Sequence, residues 1–347
     1  MRFWINKGAW ASKRARREIA SIAPEQVNNI AVIRHAAVGD MVLTRPFLIE
    51  LRRCFPDALV TLSVVSNYMR GVPEDLVDRV HVAYGSDQRD VPKREQLHRA
   101  RELGYHDFIF DLAATSRSFW LCVLNPARLK IGFPYRSITR YLFYDAAVLR
   151  SNYTFEAEVM LHTLNLIGFS MPRRLRFDMP GTALRRERPY VVFFTSASTV
   201  DKCWPPEHFS GLIGHMAERY PGYDHIVLEG RSEWESIETI LAPLASKPNV
   251  LAMKVDDLDA TVSLLKGATL VVSNDTGIRN LAIATETPTI GIFFATVPFT
   301  YWPRDDMHEV IFNFDGSVPG IDAVCQRTER IMRQMTTTRR AVADSHA

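Results

Sequence analysis

The residues best suited to chemistry sit in three short stretches, each following an apolar run. AVIRHAAVGDMVLT, residues 31–44, places a carboxylate, Asp40, directly after Gly39. Proline is favoured at the first position of a helix, so Pro46 before FLIELRRCF predicts a regular helix start there, with Thr44 or Arg45 at the cap. A capping carboxylate accepts from amides two or three residues ahead, which puts Asp40 too far upstream unless an earlier turn begins at Met41. Asp40 is therefore either the cap of such a turn or an exposed base, and Gly39 permits the tight backbone that presents it.

In VVSNDTGIRNLAIATETPTI, residues 271–290, a strand pattern runs into Asn274, Asp275, Thr276 and Gly277, and a helical pattern follows until Pro288. Amides at that helix start, the Thr276 hydroxyl and the helix dipole suit a phosphate, and Gly277 has no side chain to block a diphosphate. The alternative is that Asp275 or Thr276 is an ordinary N-cap.

The third stretch, FFTSASTVDKCWPPEHF at 193–209, carries Thr195, Ser196, Ser198, Thr199 and Lys202 ahead of a helix starting at Pro205 or Pro206. The compact ammonium of Lys202 suits a phosphate, although a lone loop lysine is also commonly just solvated. Cys203 lies beside Trp204 with no recognisable histidine partner and reads as packing, not as a nucleophile.

Short β-branched runs alternate with helix-length segments throughout: NIAVIRH, LVTLSVVS and FIFDLA, then YVVFFTS, HIVLEG, NVLAM, TLVVSND and TPTIGIFF. Strands apolar along their whole length belong to parallel sheets covered on both faces, so the fold class is α/β. MPRRLRFDMPGTALRRERP, residues 171–189, is rich in proline and arginine and lacks periodicity, and is the expected linker. The expected organisation is a basic N-terminal arm (1–28), a Rossmann-like domain (29–175), a second Rossmann-like domain (185–320) and a C-terminal helix and tail (321–347). Two doubly wound domains facing across a cleft would bind ligands beyond the carboxyl ends of their strands.

The 347 residues carry a net charge of +3 and no sustained basic stripe or zinc-finger spacing, which argues against a nucleic-acid partner. The first 25 residues hold six basic residues against Glu18 and Glu25, interleaved with Phe3, Trp4, Ile5 and Trp10. That segment is either a solvated arm or a peripheral attachment to an anionic membrane. Cys54, Cys122, Cys203 and Cys325 are widely spread, as expected of reduced thiols in a cytosolic protein, with no zinc spacing. No secretory signal is evident, and the longest apolar run, IGIFFATVPF, falls well short of the roughly 20 residues that span a bilayer.

Together the three loops resemble glycosyltransferase family 9, the heptosyltransferases of lipopolysaccharide core assembly. IAVIRHAAVGDMVLTRPFLIELRRCFPDA is similar to the family's first strand, G-D loop and helix, and LVVSNDTGIRNLAIATETPTIGIF to its D-T-G donor loop. FDLAATSRSFWLCVLNPARLKIGF and DKCWPPEHF add weaker matches, and the resemblance spans about residues 29–305.

The resemblance implies a GT-B fold, an inverting reaction that needs no metal or cofactor, and ADP-heptose as donor. The implied acceptor is a lipid A-core glycan, and the implied location the cytoplasmic face of the inner membrane. It implies Asp40 as general base, with Gly39 and Arg117 on the acceptor side. Lys202 and the amides around Thr276 and Gly277 would stabilise the leaving diphosphate, Glu229 would contact the nucleoside, and Met253 would flank adenine unless it is core packing.

Two departures stand out. Asn280 occupies the histidine position of the family's D-T-G-x-x-H, and TSAST replaces a glycine-containing P-G-x-S. They leave open a different nucleotide sugar for another surface glycan, or a catalytically silent sugar-nucleotide-binding protein. Arg279, next to Asn280, would point about 100° away on a helix.

Overall fold

The structure is a computed structural model that describes residues 10–133, 144–148, 150–230, 232 and 235–344. Internal contacts divide the chain between Phe177 and Asp178. The first unit runs β1 (Trp10–Ala11), α1 (Lys13–Ser21), β2 (Asn29–Ile33), α2 (Val38–Val42), α3 (Arg45–Cys54), β3 (Leu59–Val65), β4 (Arg79–Ala83), α4 (Lys93–Arg101), β5 (His106–Asp111), α5 (Ser116–Leu124), β6 (Ala127–Gly132), β7 (Ala146–Ala147) and α6 (Glu156–Asn165).

Its sheet has the order β1-β7-β6-β5-β2-β3-β4, parallel except where β1 meets β7. Ile30 to Ile33 and Phe108 to Phe110 are buried because helices cover both faces of the central strands. On one face Phe47 of α3 meets Phe110 edge-on at 5.3 Å. On the other, Phe119, Leu121 and Cys122 of α5 close over Ala31, Ile33 and Ile109.

The N-terminal segment differs from the expected separate arm. Trp10 and Ala11 add a strand to the sheet opposite Ala147 and Ala146. Ser12 caps α1 by accepting from the Ala15 amide at 3.0 Å, and two ion pairs of 2.6 Å, Arg14–Asp145 and Glu18–Arg128, tie α1 to the domain. The local count of basic residues does not reveal these partners, which lie more than a hundred positions along the chain. Arg2, Phe3, Trp4, Ile5 and Lys7 lie outside the described residues.

The second unit runs β8 (Tyr190–Phe194), α7 (Pro206–Arg219), β9 (Asp224–Glu229), α8 (Glu238–Leu241), β10 (Val250–Lys254), α9 (Leu258–Gly267), β11 (Leu270–Asn274), α10 (Gly277–Ala284), β12 (Thr289–Ile292), β13 (His308–Ile311) and α11 (Ile321–Asp344). Its sheet is wholly parallel in the order β10-β9-β8-β11-β12-β13. Phe193, Val227, Val272 and Ile290 of the sheet pack with Trp204, Phe209 and Ile213, and Val324, Ile331 and Met332 of α11 complete that core.

Each sheet is wound outward from its middle. In the first, β2, β3 and β4 proceed one way and β5, β6 and β7 the other, so the direction reverses between β2 and β5. In the second it reverses between β8 and β11. The crevice beyond the carboxyl ends of the strands at such a reversal is where doubly wound sheets bind ligands.

Candidate active site

In the first unit that reversal brings together the segments following β2 and β5, where Ile33 pairs with Asp111. After β2 the chain meets Arg34, a buried guanidinium that the sequence reading did not single out. Arg34 donates from Nη1 to the Leu112 carbonyl at 2.9 Å and to Glu156 at 3.1 Å, and from Nη2 to the Asp40 carbonyl at 3.2 Å. It thereby ties the Asp40 turn to the end of β5 and to α6. Its one sequence signal is an arginine directly after a fully apolar strand, a position that burial makes expensive without partners.

Asp40 itself lies in α2, not in an irregular loop. The regular helix α3 starts at Arg45 with Thr44 at its cap, close to the expected boundary, but a separate helical turn precedes it. Ala37, not Asp40, is the N-cap of that turn, and it makes no side-chain cap bond. Asp40 is half-buried in the first turn, and Gly39 before it is buried.

The segment after β5 is fixed by Asp111. Its buried carboxylate accepts from the amides of Ala113 and Ala114, from Ser118 at 3.1 Å and from Tyr144 at 2.6 Å. Burial holds its pKa above the ordinary carboxylate value, and those donors offset part of that rise. The anchoring holds Ala114 at φ 51°, a conformation uncommon outside glycine. Thr115 then caps α5, which exposes Arg117 in its first turn. His35 is close to Arg117: burial first, then the Arg117 charge, lowers its pKa to about 3. Both His35 ring nitrogens are buried with no hydrogen-bond partner among the described residues.

In the second unit the reversal juxtaposes the segments after β8 and β11. Asn274, fully buried at the end of β11, joins them: it donates to the Thr195 carbonyl at 2.7 Å and accepts from the Trp204 amide at 3.0 Å. Thr195 and Ser196 are buried, whereas Ser198 and Thr199 are exposed. Lys202 lies 3.3 Å from Asp275, whose carboxylate also accepts from Thr296 at 2.7 Å. Cys203 contacts the Thr199 carbonyl, and burial raises its pKa, which leaves a poor nucleophile.

Thr276 occupies the N-cap of α10 with no side-chain cap bond, and Gly277 begins the helix. Asn280 is buried on the next turn. The fully buried guanidinium of Arg279 lies against Phe293, 5.4 Å from the ring centroid, and donates to the Tyr301 carbonyl. Burial lowers its pKa to about 10.

Glu229 ends β9 and lies 3.8 Å from Lys254 of β10. Met253, opposite Leu228 on the edge strand β10, is half-buried. All these candidates lie at the carboxyl ends of β8 to β11. Among the described residues no cluster of three or more His, Cys, Asp or Glu could hold a metal ion, and no helix is long and apolar enough to cross a membrane.

The sequence model of glycosyltransferase family 9 (heptosyltransferase) matches residues 96–327, more than half of the chain. The chain belongs to glycosyltransferase family 9. It is 23% identical over 279 residues to lipopolysaccharide heptosyltransferase 3 of Escherichia coli K12, covering 74% of this chain and 80% of that one. Among solved structures, E. coli heptosyltransferase WaaC with ADP-2-deoxy-2-fluoro heptose superposes with a TM-score of 0.70 at 22% identity, over 87% of this chain and 99% of that one. A family 9 enzyme from Veillonella parvula gives 0.72 at 18% identity, over 90% and 99%. The family 9 chain is thus a glycosyltransferase with the GT-B fold of two Rossmann-like units.

Proposed function

We propose that this family 9 enzyme transfers a heptose from ADP-heptose to a lipopolysaccharide core acceptor, with inversion and without a metal. The observation that carries the reading is the donor-side constellation: an ammonium held 3.3 Å from Asp275 beside the start of α10. A helix N-terminus with an adjacent lysine is suited to a diphosphate. Lys202 has three donor hydrogens, so its bond to Asp275 leaves others for phosphate oxygens. The relatives named for lipopolysaccharide heptosyl transfer, and the one solved with a fluorinated ADP-heptose, support the choice of donor and acceptor.

In this mechanism Asp40 takes the proton of an acceptor hydroxyl as its oxygen attacks the anomeric carbon from the face opposite the diphosphate. The new glycosidic bond forms as the carbon–oxygen bond to phosphate breaks, and ADP departs with the electron pair. Lys202, the Thr276 hydroxyl and the first amides of α10 stabilise the charge that develops on it. Thr195, Ser196, Ser198 and Thr199 line the donor's phosphate and sugar, Glu229 contacts the nucleoside, and Met253 flanks adenine. Gly39 and Arg117 serve the acceptor, and the exposed Lys13, Arg16 and Arg17 of α1 favour the anionic cytoplasmic face of the inner membrane.

Asn280 in place of the family histidine favours one second reading, a different nucleotide sugar. Thermal shifts with ADP, UDP and GDP separate the two, because the preferred nucleotide stabilises most. The direct test is incubation with ADP-heptose and truncated lipopolysaccharide acceptors, read by mass spectrometry. Asp40→Asn is expected to lower turnover by about 10²-fold or more while keeping donor affinity. Unchanged turnover in that variant would remove Asp40 as the base.

A further inference from the structure

Lys202 and Asp275, 3.3 Å apart beside the start of α10, cancel as charges. Lys202 can still donate to a phosphate, but the pair brings no net charge to it. The helix dipole adds only roughly half an elementary charge. Arg279 is the third residue of the same helix, and its amide closes the first turn onto the Thr276 carbonyl at 3.1 Å. A residue two positions into a helix lies about 3 Å along the axis, which puts the Arg279 charge within about 10 Å of an anion held at the helix start.

The fold buries this cation without balancing it. Arg279 is 1% exposed, Nη1 donates to the Tyr301 carbonyl, and Nε and Nη2 have no hydrogen-bond partner. The carboxylates whose charges act on it are Asp275 and then Asp305, and neither forms an ion pair with it. With a pKa of about 10 it stays protonated at neutral pH. The neighbouring strand makes room for it: a Cβ at Gly291 of β12 would lie 2.4 Å from Nε and 2.7 Å from Phe293. Ser273, the register partner of Gly291 on β11, has its hydroxyl buried without a partner, and neither strand carries a carboxylate. An apolar side chain of similar volume commonly replaces even a paired buried ion at no loss of stability, so packing alone does not explain an arginine here.

We propose that Arg279 supplies the net positive charge of the donor site, acting through its field on the diphosphate without touching it, in place of the histidine absent at position 280. The proposal rests on the reading of the α10 start as a diphosphate site and is independent of the donor's base and sugar. The low-dielectric surroundings of Phe293 and the sheet carry the field further than water would. Binding is favoured in proportion to phosphate charge, and so is the charge that develops on the departing diphosphate.

The test is isothermal titration of the full chain with ADP and AMP, and with the corresponding uridine and guanosine pairs, for Arg279→Met, Arg279→Gln and Arg279→Lys. Methionine keeps the apolar stem, glutamine keeps a neutral N–H donor, and lysine keeps the charge. Arg279→Met is expected to raise the Kd of ADP about fivefold and that of AMP about twofold, with a melting temperature at or above the native value. Arg279→Gln should follow Arg279→Met, and Arg279→Lys should stay within about twofold of native for both nucleotides.

Equal losses for ADP and AMP would mean a displaced 293–301 segment and not a field. Native binding by Arg279→Gln would assign the role to the Tyr301 bond, and native binding by Arg279→Met would leave the charge no role. Each of these overturns the proposal. A native preference for UDP or GDP removes ADP-heptose as donor, and the dependence on Arg279 then appears with that base. No binding of any diphosphate by the native chain at millimolar concentration refutes the diphosphate reading itself, and the proposal with it.

Discussion

Replacing Arg34 with methionine tests whether a buried cation positions the Asp40 turn. The change keeps the apolar stem and removes three hydrogen bonds, to the Leu112 carbonyl, the Asp40 carbonyl and Glu156. Taking one partner from a buried ion pair generally costs about 3–5 kcal/mol because the other charge is stranded. Here Glu156 keeps Arg150 at 2.9 Å, which puts the expected loss at the lower end, about 3 kcal/mol. Urea unfolding of the full chain measures this as a lower midpoint of the transition that includes the first unit.

The functional part is separate. With the guanidinium gone, the Asp40 carbonyl loses its 3.2 Å bond and keeps Thr44 Oγ1 at 3.5 Å, and misplacing a reacting group by about 1 Å can lower a rate by about 10²-fold. We expect Arg34→Met, assayed in buffer where it remains folded, to lose at least about tenfold in kcat with its donor Kd unchanged. A midpoint within about 1 kcal/mol of native would refute the buried tether. Lost stability with native kcat would show that Arg34 holds the fold but not the catalytic carboxylate.

Other expectations follow from particular contacts. Asn280→His should tighten ADP binding several-fold, about 1 kcal/mol for a charged donor in place of a neutral one, and titration showing equal or weaker binding would put position 280 away from the phosphates. The depressed pKa of His35, about 3, means that the unfolded chain binds a proton below pH 6.5 that the folded chain refuses. Its contribution is therefore lost as pH falls from 6.5 toward 3, at about 1.4 kcal/mol per pH unit once the unfolded imidazole is charged. His35→Gln should flatten the urea-midpoint profile between pH 7 and 5, and an identical slope would contradict its burial. Gly291→Ala would set a methyl group 2.4 Å from Arg279 Nε and 2.7 Å from Phe293, both buried, so the melting temperature should drop by the equivalent of about 1–3 kcal/mol. An unchanged value would mean that Arg279 is free to move.

What the sequence alone determined is local. Runs such as NIAVI and YVVFF require strands covered on both faces, the β–α alternation requires parallel sheets, and a D-T-G stretch between a strand and a helix places amides where a phosphate can meet them. These depend on residues close together in the chain, so their periodicity could be read directly. The two groups of candidates could be named from their motifs, down to Asp40, Lys202 and Thr276.

The tertiary structure decided which of those segments meet. Lys202 and Asp275 are 73 residues apart and come to 3.3 Å because the order of the second sheet reverses between β8 and β11. Arg34 reaches Glu156 across 122 residues, Arg14 of α1 finds Asp145, and Trp10 and Ala11 pair with Ala147 and Ala146, so that part of a nominal arm joins the sheet. The burial of Arg279 without an ion-pair partner had no motif to announce it. Strand order and the pairing of buried charges arise from packing between distant segments, and a local pattern of polar and apolar residues carries no record of which distant partner satisfies each one.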